Sequence, residues 1–207
     1  MVQVIVGATN PDCRVLLADM FRHRYQIFVK EKGWDLKTYN GLEFDKYDNS
    51  DTLYLVEYES RSVIGASMRL NATDKPFMLK DVFPEMCERE LPQGKDVWEL
   101  TRGAVSSQLR RSGIYGRVIC AMVEAALLWG VKSGVGVFSV EYLMKQMRFG
   151  LDAKPLGQPR IIDGEPNIAA EIAFNSETLG RLRSSFKISA PVIEHVYLLP
   201  QERKAAA

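Results

Sequence analysis

The chain is poor in the residues that build metal and disulfide sites. It has three cysteines, Cys13, Cys87 and Cys120, and two histidines, His23 and His195, in 207 residues. No CxxC occurs and no Cys/His cluster has zinc spacing, which argues against a structural metal centre. An odd, low cysteine count suits a reducing compartment. Long apolar runs are missing as well. None approaches the ~20 residues of a membrane span, and Met1–Ala8 lacks the basic start and long apolar core of a signal peptide. Charge of one sign is scarce. The formal net charge is +1, which argues against a dedicated nucleic-acid binder. These absences make a cytoplasmic protein, with neither nucleic acid nor membrane as partner, the expectation. What is present, 46% hydrophobic and 26% charged residues, is the composition of a globular protein with a real core. The length fits one domain over residues 1–207.

Local patterns then suggest elements. Val2–Val6 reads as a first strand. Asn10 or Asp12 can cap a helix that begins near Pro11. Its apolar positions recur through Lys30, and Lys32-Gly33 stops it. Trp34–Asp51 is rich in Asp, Asn, Gly and Tyr and reads as a long loop, a length that often carries function. Leu53–Tyr58 and Val63–Leu70 suggest an antiparallel hairpin across the polar turn Glu59–Ser62. Phe77–Cys87 holds a short helix interrupted by Pro84. Val97–Val105 reads as a central strand, Arg110–Gly116 as a polar turn, and Val118 to Gly130 as a helix. Further on come a strand at Val135–Val140, a helix at Glu141–Phe149, a loop at Pro155–Pro166, a strand at Asn167–Phe174, a helix at Ser176–Phe186 and a last strand at Val192–Leu199. The tail Gln201–Ala207 is expected to be disordered. Mixed strands with interspersed helices predict an α/β or α+β three-layer sandwich.

Three groups of residues could carry chemistry. Glu43, Asp45, Asp48 and Asp51 crowd the long loop. Taken alone, a solvated acidic loop accounts for them. The calcium-loop pattern fails, because no Asp-x-Asp-x-Asp-Gly run leads to a Glu at the twelfth position. The other reading is a site for a cationic ligand, with Phe28 and Trp34 supplying aromatic faces. Second, Arg24, Arg69, Arg102 and Glu99 lie in or beside elements that otherwise look buried. Buried charges are costly unless paired, so Glu43, Asp45, Asp48 and Glu99 are expected to pair with the arginines. An ion-pair network that merely orders the loop remains an alternative. Third, Arg110-Arg111-Ser112-Gly113-Ile114-Tyr115-Gly116 stands between a strand and a helix. Such a turn can cradle phosphates with backbone N–H groups, or be an ordinary strand–helix connection. It is similar to the Arg-x-x-Gly-x-Gly/Ala loop of GCN5-related acyltransferases that holds the pyrophosphate of coenzyme A. Tyr115 stands where that pattern has a small residue.

The order and spacing of Arg24, Phe28, Trp34, Asp45, Asp48, Arg69, Glu99 and Arg102 resemble those of the LuxI-type N-acyl-homoserine lactone synthases, or autoinducer synthases. Glu43, Tyr47, Tyr54, Phe83 and Thr101 also sit where that family has similar residues. One departure is Gly103, where many members carry an aromatic residue. The resemblance implies a GCN5-related αβα sandwich with a mixed central sheet split into a V-shaped cleft. It implies a quorum-sensing signal synthase with two substrates, S-adenosylmethionine and an acyl chain on acyl carrier protein or coenzyme A, and no cofactor or metal. A GCN5-related transfer from acyl-coenzyme A to another amine is the alternative, and a non-catalytic sensor on the same scaffold is a third reading.

The resemblance also distributes roles. Glu99, acting through water, is the expected base for the substrate amine, whose free pKa is about 8. Thr101 is expected to assist, and the N–H of Arg102 or Gly103 to stabilise the oxyanion. Arg24, Phe28, Trp34, Asp45 and Arg102 are expected to contact S-adenosylmethionine. Glu43, Asp48 and Arg69 are expected to scaffold by ion pairs. Arg110 and Gly113 with Phe83, Met122, Phe138, Val140, Met144 and Met147 are expected along the pantetheine and acyl chain, though core packing alone would also account for the apolar members. Lys145, Arg148, Lys154 and Arg160 form a basic cluster that could meet an acidic carrier protein or be a solvated face.

Overall fold

A computed structural model describes residues 1–60 and 63–199. The tail Gln201–Ala207 and part of the turn Glu59–Ser62 lie outside the described residues. The chain divides into two units. The first comprises Met1–Leu70, Arg102–Ala121 and the chain from Val192; the second comprises Asn71–Thr101 and Met122–Pro191. Each unit is discontinuous in sequence.

In the first unit, β1 (Val2–Val6) pairs in parallel with β11 (Ile193–Tyr197) and antiparallel with β4 (Leu53–Ser60). β4 and β5 (Val63–Ala72) make the expected hairpin, with Leu53 opposite Leu70 and Tyr54 opposite Arg69. Near the end of β6 (Val97–Val105), the Ser106 N–H donates to the Gly65 carbonyl at 2.9 Å. The first helix starts where the capping signals place it. Asn10 accepts a hydrogen bond from the Asp12 N–H, and its buried amide donates to the carbonyls of Val6 and Tyr197. A 3-10 turn at Pro11–Cys13 leads into α1 (Arg14–Arg24). Leu17, Met20 and Phe21 of α1 pack on Ile5, Tyr54, Val56 and Ile64 of the sheet.

α1 does not simply run on to Lys30. Tyr25–Glu31 widens into a π-helical turn, a local irregularity that recurs at functional sites. Gly33, with φ +70°, ends it as expected. The long loop contains a small ribbon, β2 (Thr38–Tyr39) against β3 (Leu42–Glu43), turned by Asn40 and Gly41, both at positive φ.

In the second unit, the start of β6 pairs in parallel with β7 (Ser133–Ser139), and β7 pairs antiparallel with β10 (Glu165–Ala173). A parallel pair needs a crossover, and α3 (Ile114–Trp129) is the helix of that connection. The short α2 (Met78–Val82) is followed by a 3-10 turn at Pro84–Met86. Phe77, Leu79, Met86, Val97, Val135, Leu156 and Ala169 form this unit's core cluster. α4 (Val140–Arg148) and α5 (Ser176–Phe186) complete it. Two expectations are corrected here. Val140 does not end a strand but opens α4, because the Ser139 side chain caps the helix by accepting from the Tyr142 N–H. The expected loop at Pro155–Pro166 begins on the last residue of β8 (Ala153–Pro155) and contains β9 (Arg160–Ile162); both strands borrow the edge of β10 for their hydrogen bonds.

Candidate functional site

Six charged side chains of the first unit close into a ring of alternating sign. Arg24 donates from Nε to Glu43 Oε2 at 2.6 Å and from Nη1 and Nη2 to the two Asp48 oxygens at 2.8 and 3.1 Å. Arg69 Nη1 reaches Asp48 Oδ2 at 2.9 Å and Asp45 Oδ1 at 2.6 Å. Arg102 donates from Nη2 to Asp45 Oδ2 at 2.9 Å and from Nε to Glu43 Oε1 at 3.1 Å. Each carboxylate thus bridges two guanidinium groups. The two long loops of sequence between Arg24, Arg69 and Arg102 are tied together at one point, as the expected pairing required.

The ring is positioned locally. Asp48 Oδ2 also accepts the backbone N–H of Asp45 at 2.8 Å, and Tyr54 donates to Asp48 Oδ1 at 2.8 Å. The Tyr47 N–H donates to Asp45 at 2.8 Å. These turn bonds aim both aspartates inward, which is the local role short carboxylates play in loops. Burial would raise the pKa of Asp48, but Arg24 and Arg69 outweigh it and hold the carboxyl at about 2. Burial alone would make Arg24 easier to deprotonate; Asp48 and Glu43 reverse that, and its pKa is raised. Burial, then the charge of Asp48, pushes the Tyr54 phenol up. For Arg102, burial dominates and lowers its pKa.

The ring has a closed side and an open side. Arg24, Glu43, Asp48 and Arg69 are all at most 1% exposed, whereas Asp45 is 22% and Arg102 9% exposed. Arg24, expected as a ligand contact, has all three side-chain nitrogens engaged by Glu43 and Asp48 and is as buried as Glu43, Asp48 and Arg69. Arg102 is held in the left-handed region at φ +53° within β6, a conformation costing a non-glycine residue about 1–2 kcal/mol. Its guanidinium is bonded to Glu43 and Asp45.

Beside the open edge lie the two expected aromatics. Phe28 and Trp34 stack with ring centroids 5.0 Å apart and planes within 6°. The Arg102 guanidinium carbon is 5.8 Å from the Phe28 centroid. The Lys32 ammonium lies 4.6 Å from the Trp34 centroid and 5.7 Å from that of Phe28. Electron-rich faces next to a carboxylate suit a cation, and a lysine already samples that field. Lys32 was not singled out by its sequence pattern, since a lysine before a helix-stopping glycine is common at helix ends.

Glu99 lies in the second unit and is fully buried. Its Oε1 accepts the Leu79 N–H, in the first turn of α2, at 2.6 Å. A carboxylate at a helix start is stabilised as an anion. The Leu79 N–H is a partner that sequence reasoning missed; the clue was a short helix predicted nearby. Thr101 is half-buried on the same strand.

The residues expected along the acyl donor are distributed less tightly. Gly113, at φ +79°, has open space where a Cβ would stand, and Ser112 caps the start of α3 by accepting from the Ile114 N–H. Arg110 is exposed, 4.0 Å from Glu31. In the second unit, Met122 is buried and Phe83, Phe138 and Val140 are half-buried. Met144 and Met147 are 51% and 44% exposed, so they do not form an interior wall. The helical period of α4 turns Leu143 and Gln146 inward instead. Lys145, Arg148, Lys154 and Arg160 are exposed. Among the described residues, no group of three or more His, Cys, Asp or Glu could hold a metal ion, and no helix is long and apolar enough to cross a membrane.

Comparison with known proteins adds an independent line. A family model described as autoinducer synthase matches residues 11–182. An isovaleryl-homoserine lactone synthase of Bradyrhizobium diazoefficiens is 32% identical over 180 residues, covering 86% of this chain and 81% of that protein. Two solved coenzyme A-dependent acyl-homoserine lactone synthases are similar in structure. BjaI, solved with S-adenosylmethionine and isopentyl-coenzyme A, superimposes with a TM-score of 0.85 at 27% identity, covering 94% of this chain and 92% of that one. MesI gives 0.84 at 25% identity, covering 93% and 98%.

Proposed function

This chain belongs to the autoinducer synthase family, and from that premise we propose how its residues share the reaction and which donor it uses. It is an acyl-homoserine lactone synthase. It N-acylates S-adenosylmethionine from an acyl thioester and lactonises the product, releasing methylthioadenosine and a quorum-sensing signal. The carrying observation is the six-membered ion ring, whose open edge, Arg102 and Asp45, stands beside the Phe28–Trp34 stack. A sulfonium favours the aromatic faces. The substrate's carboxylate and amine find complementary charge in Arg102 and Asp45. Arg24, Glu43, Asp48 and Arg69 hold that edge in place.

Glu99 takes the proton of the amine, through water, as the amine attacks the thioester carbonyl. Its hydrogen bond from the Leu79 N–H favours the carboxylate that a base must be. Thr101 helps to hold the water. The thiol leaves and an N-acyl-S-adenosylmethionine forms. Its own carboxylate then displaces methylthioadenosine from the γ-carbon. Loss of the sulfonium charge drives the step, and holding both atoms in one molecule makes closure intramolecular.

The acyl donor in this reading is a coenzyme A thioester. Supporting it are the likeness to two coenzyme A-dependent synthases and the Arg110–Gly113 turn, where an exposed arginine and an unencumbered glycine precede the N-terminus of α3. That start of a 16-residue helix offers N–H groups to a pyrophosphate. The test supplies radiolabelled S-adenosylmethionine with matched acyl-coenzyme A and acyl-carrier-protein donors, and follows methylthioadenosine and lactone. Turnover with the coenzyme A donor at the lower KM is expected. A clear preference for the carrier protein overturns the donor assignment, and no methylthioadenosine with either donor overturns the synthase reading itself.

A further inference from the structure

Phe28, Lys32 and Trp34 converge for local reasons. Residues four apart on a helix are neighbours on one side, so Lys32, at the end of the π-helical turn, falls beside Phe28. The Lys32 N–H donates to the Ile27 carbonyl at 3.1 Å. Gly33 then takes φ +70°, with open space where a Cβ would stand, and reverses the chain. The Trp34 N–H closes the turn on the Phe28 carbonyl at 2.9 Å. This lays the indole on the Phe28 ring and brings the exposed Lys32 side chain to both rings, its ammonium 4.6 Å from the Trp34 centroid and 5.7 Å from that of Phe28. Lys30, in the same turn, stands over Tyr25 at 5.4 Å instead.

An ammonium and a sulfonium are drawn to an aromatic face by the same electrostatics. Two such charges brought within one aromatic field repel each other, and at the short distances of a stack this repulsion is not screened away by salt. A neutral thioether meets no such repulsion. Lys32 is held to the rings by its own charge on a flexible four-carbon stem, so it can leave them for water.

We propose that Lys32 is a specificity-determining residue of the cation site: its ammonium shares the Phe28–Trp34 field, withdraws when the sulfonium of S-adenosylmethionine arrives, and stays in place for a ligand with a neutral sulfur. The inference rests on the reading of that stack as the seat of the sulfonium. Lactonisation turns the sulfonium into the neutral thioether of methylthioadenosine, so the ammonium returns to the rings as the product forms. Lys32 thereby sets how far the stack favours a sulfonium over a thioether.

Calorimetric titration of S-adenosylmethionine, and of its neutral counterpart S-adenosylhomocysteine, tests this in the unaltered protein and in Lys32→Met, Lys32→Arg, Lys30→Met and Trp34→Ala. Lys32→Met keeps the length of the side chain and removes its charge. It is expected to lower the Kd for S-adenosylmethionine about three- to tenfold and to leave that for S-adenosylhomocysteine within about twofold. Lys32→Arg, which keeps a cation, and Lys30→Met, which removes one from Tyr25, are expected not to show this tightening. A Lys32→Met protein whose Kd for S-adenosylmethionine is unchanged or raised overturns the proposal. So does an equal tightening of both ligands, or a tightening matched by Lys32→Arg or Lys30→Met, since either would assign the effect to space or to general charge. If Trp34→Ala binds S-adenosylmethionine as the unaltered protein does, it is the placement of the sulfonium that fails, and if the unaltered protein does not bind S-adenosylmethionine, it is the synthase reading.

Discussion

Replacing Asp48 by asparagine removes one charge from the closed side of the ion ring while nearly preserving shape. The Asp48 carboxylate accepts from both Arg24 terminal nitrogens, from Arg69, from the Asp45 N–H and from the Tyr54 hydroxyl. With three guanidiniums and three carboxylates the ring is neutral; the substitution leaves it with an excess buried positive charge. Breaking a buried ion pair by removing one partner costs about 3–5 kcal/mol. For a chain of this size, each kcal/mol lowers the melting temperature by roughly 2–4 °C, so Asp48→Asn is expected to melt about 6–20 °C lower. Differential scanning calorimetry measures this directly, and urea unfolding gives the free energy. A second signature lies in pH. The folded-state pKa of Asp48, about 2, is below its unfolded value of 3.8. Its stabilisation is therefore fully present above pH 3.8 and is lost as pH falls towards 2. The Asp48→Asn protein should lack that portion of the acid limb. Asp45→Asn, altering the more exposed carboxylate, should cost less stability and more affinity for S-adenosylmethionine. A loss below about 1 kcal/mol for Asp48→Asn would refute the view that the ring is what braces the open edge.

Three further outcomes follow from the same geometry. Glu99→Gln keeps an oxygen for the Leu79 N–H but removes the base, so kcat should fall about 100- to 10,000-fold with the melting temperature nearly unchanged; single-turnover acylation measures it, and an unimpaired variant excludes Glu99 from proton transfer. Trp34→Ala removes a ring stacked on Phe28. A loss of about 1–2 kcal/mol in aromatic and cation–π terms predicts a rise of roughly 5- to 30-fold in KM for S-adenosylmethionine, and an unchanged KM would place the ligand elsewhere. Burial lowers the His23 pKa from 6.5 to about 4, and its Nε2 lies 3.1 Å from the Ser106 hydroxyl. The imidazole is thus neutral in the fold but charged when unfolded below pH 6.5. Stability should be complete above pH 6.5 and decline by up to about 3 kcal/mol towards pH 4. Urea midpoints at pH 7 and pH 4.5 should converge in the His23→Leu protein, and an undiminished pH dependence there would assign the decline to other groups.

Much of the secondary structure was legible because its causes are local. The cap at Asn10, the hairpin of β4 and β5, the break at Pro84 and the helix α5 all follow from residues within a few positions of one another. The errors were of a different kind. β8 and β9 have little strand character of their own and exist because β10 offers an unpaired edge. The π turn after Arg24 leaves the apolar spacing nearly helical, so periodicity does not disclose it. Met144 and Met147 were read as interior because they are apolar, but burial on a helix is set by angle, and theirs points outward.

By itself, the sequence determined the family, the residue types of the site and the need for buried charges to find partners. It also determined the alternation of arginines and carboxylates between Arg24 and Arg102, since each type is fixed by its position in the chain. Only the tertiary structure decided which oxygen meets which nitrogen. Through that pairing it sorted the charges into a buried brace of Arg24, Glu43, Asp48 and Arg69 and an open pair of Asp45 and Arg102. It alone brought the Lys32 ammonium to the Phe28–Trp34 stack. The physical reason is that a single charge can be satisfied by many partners at small local cost. A closed ring of six exists only when strands and loops distant in sequence hold all of them in register at once.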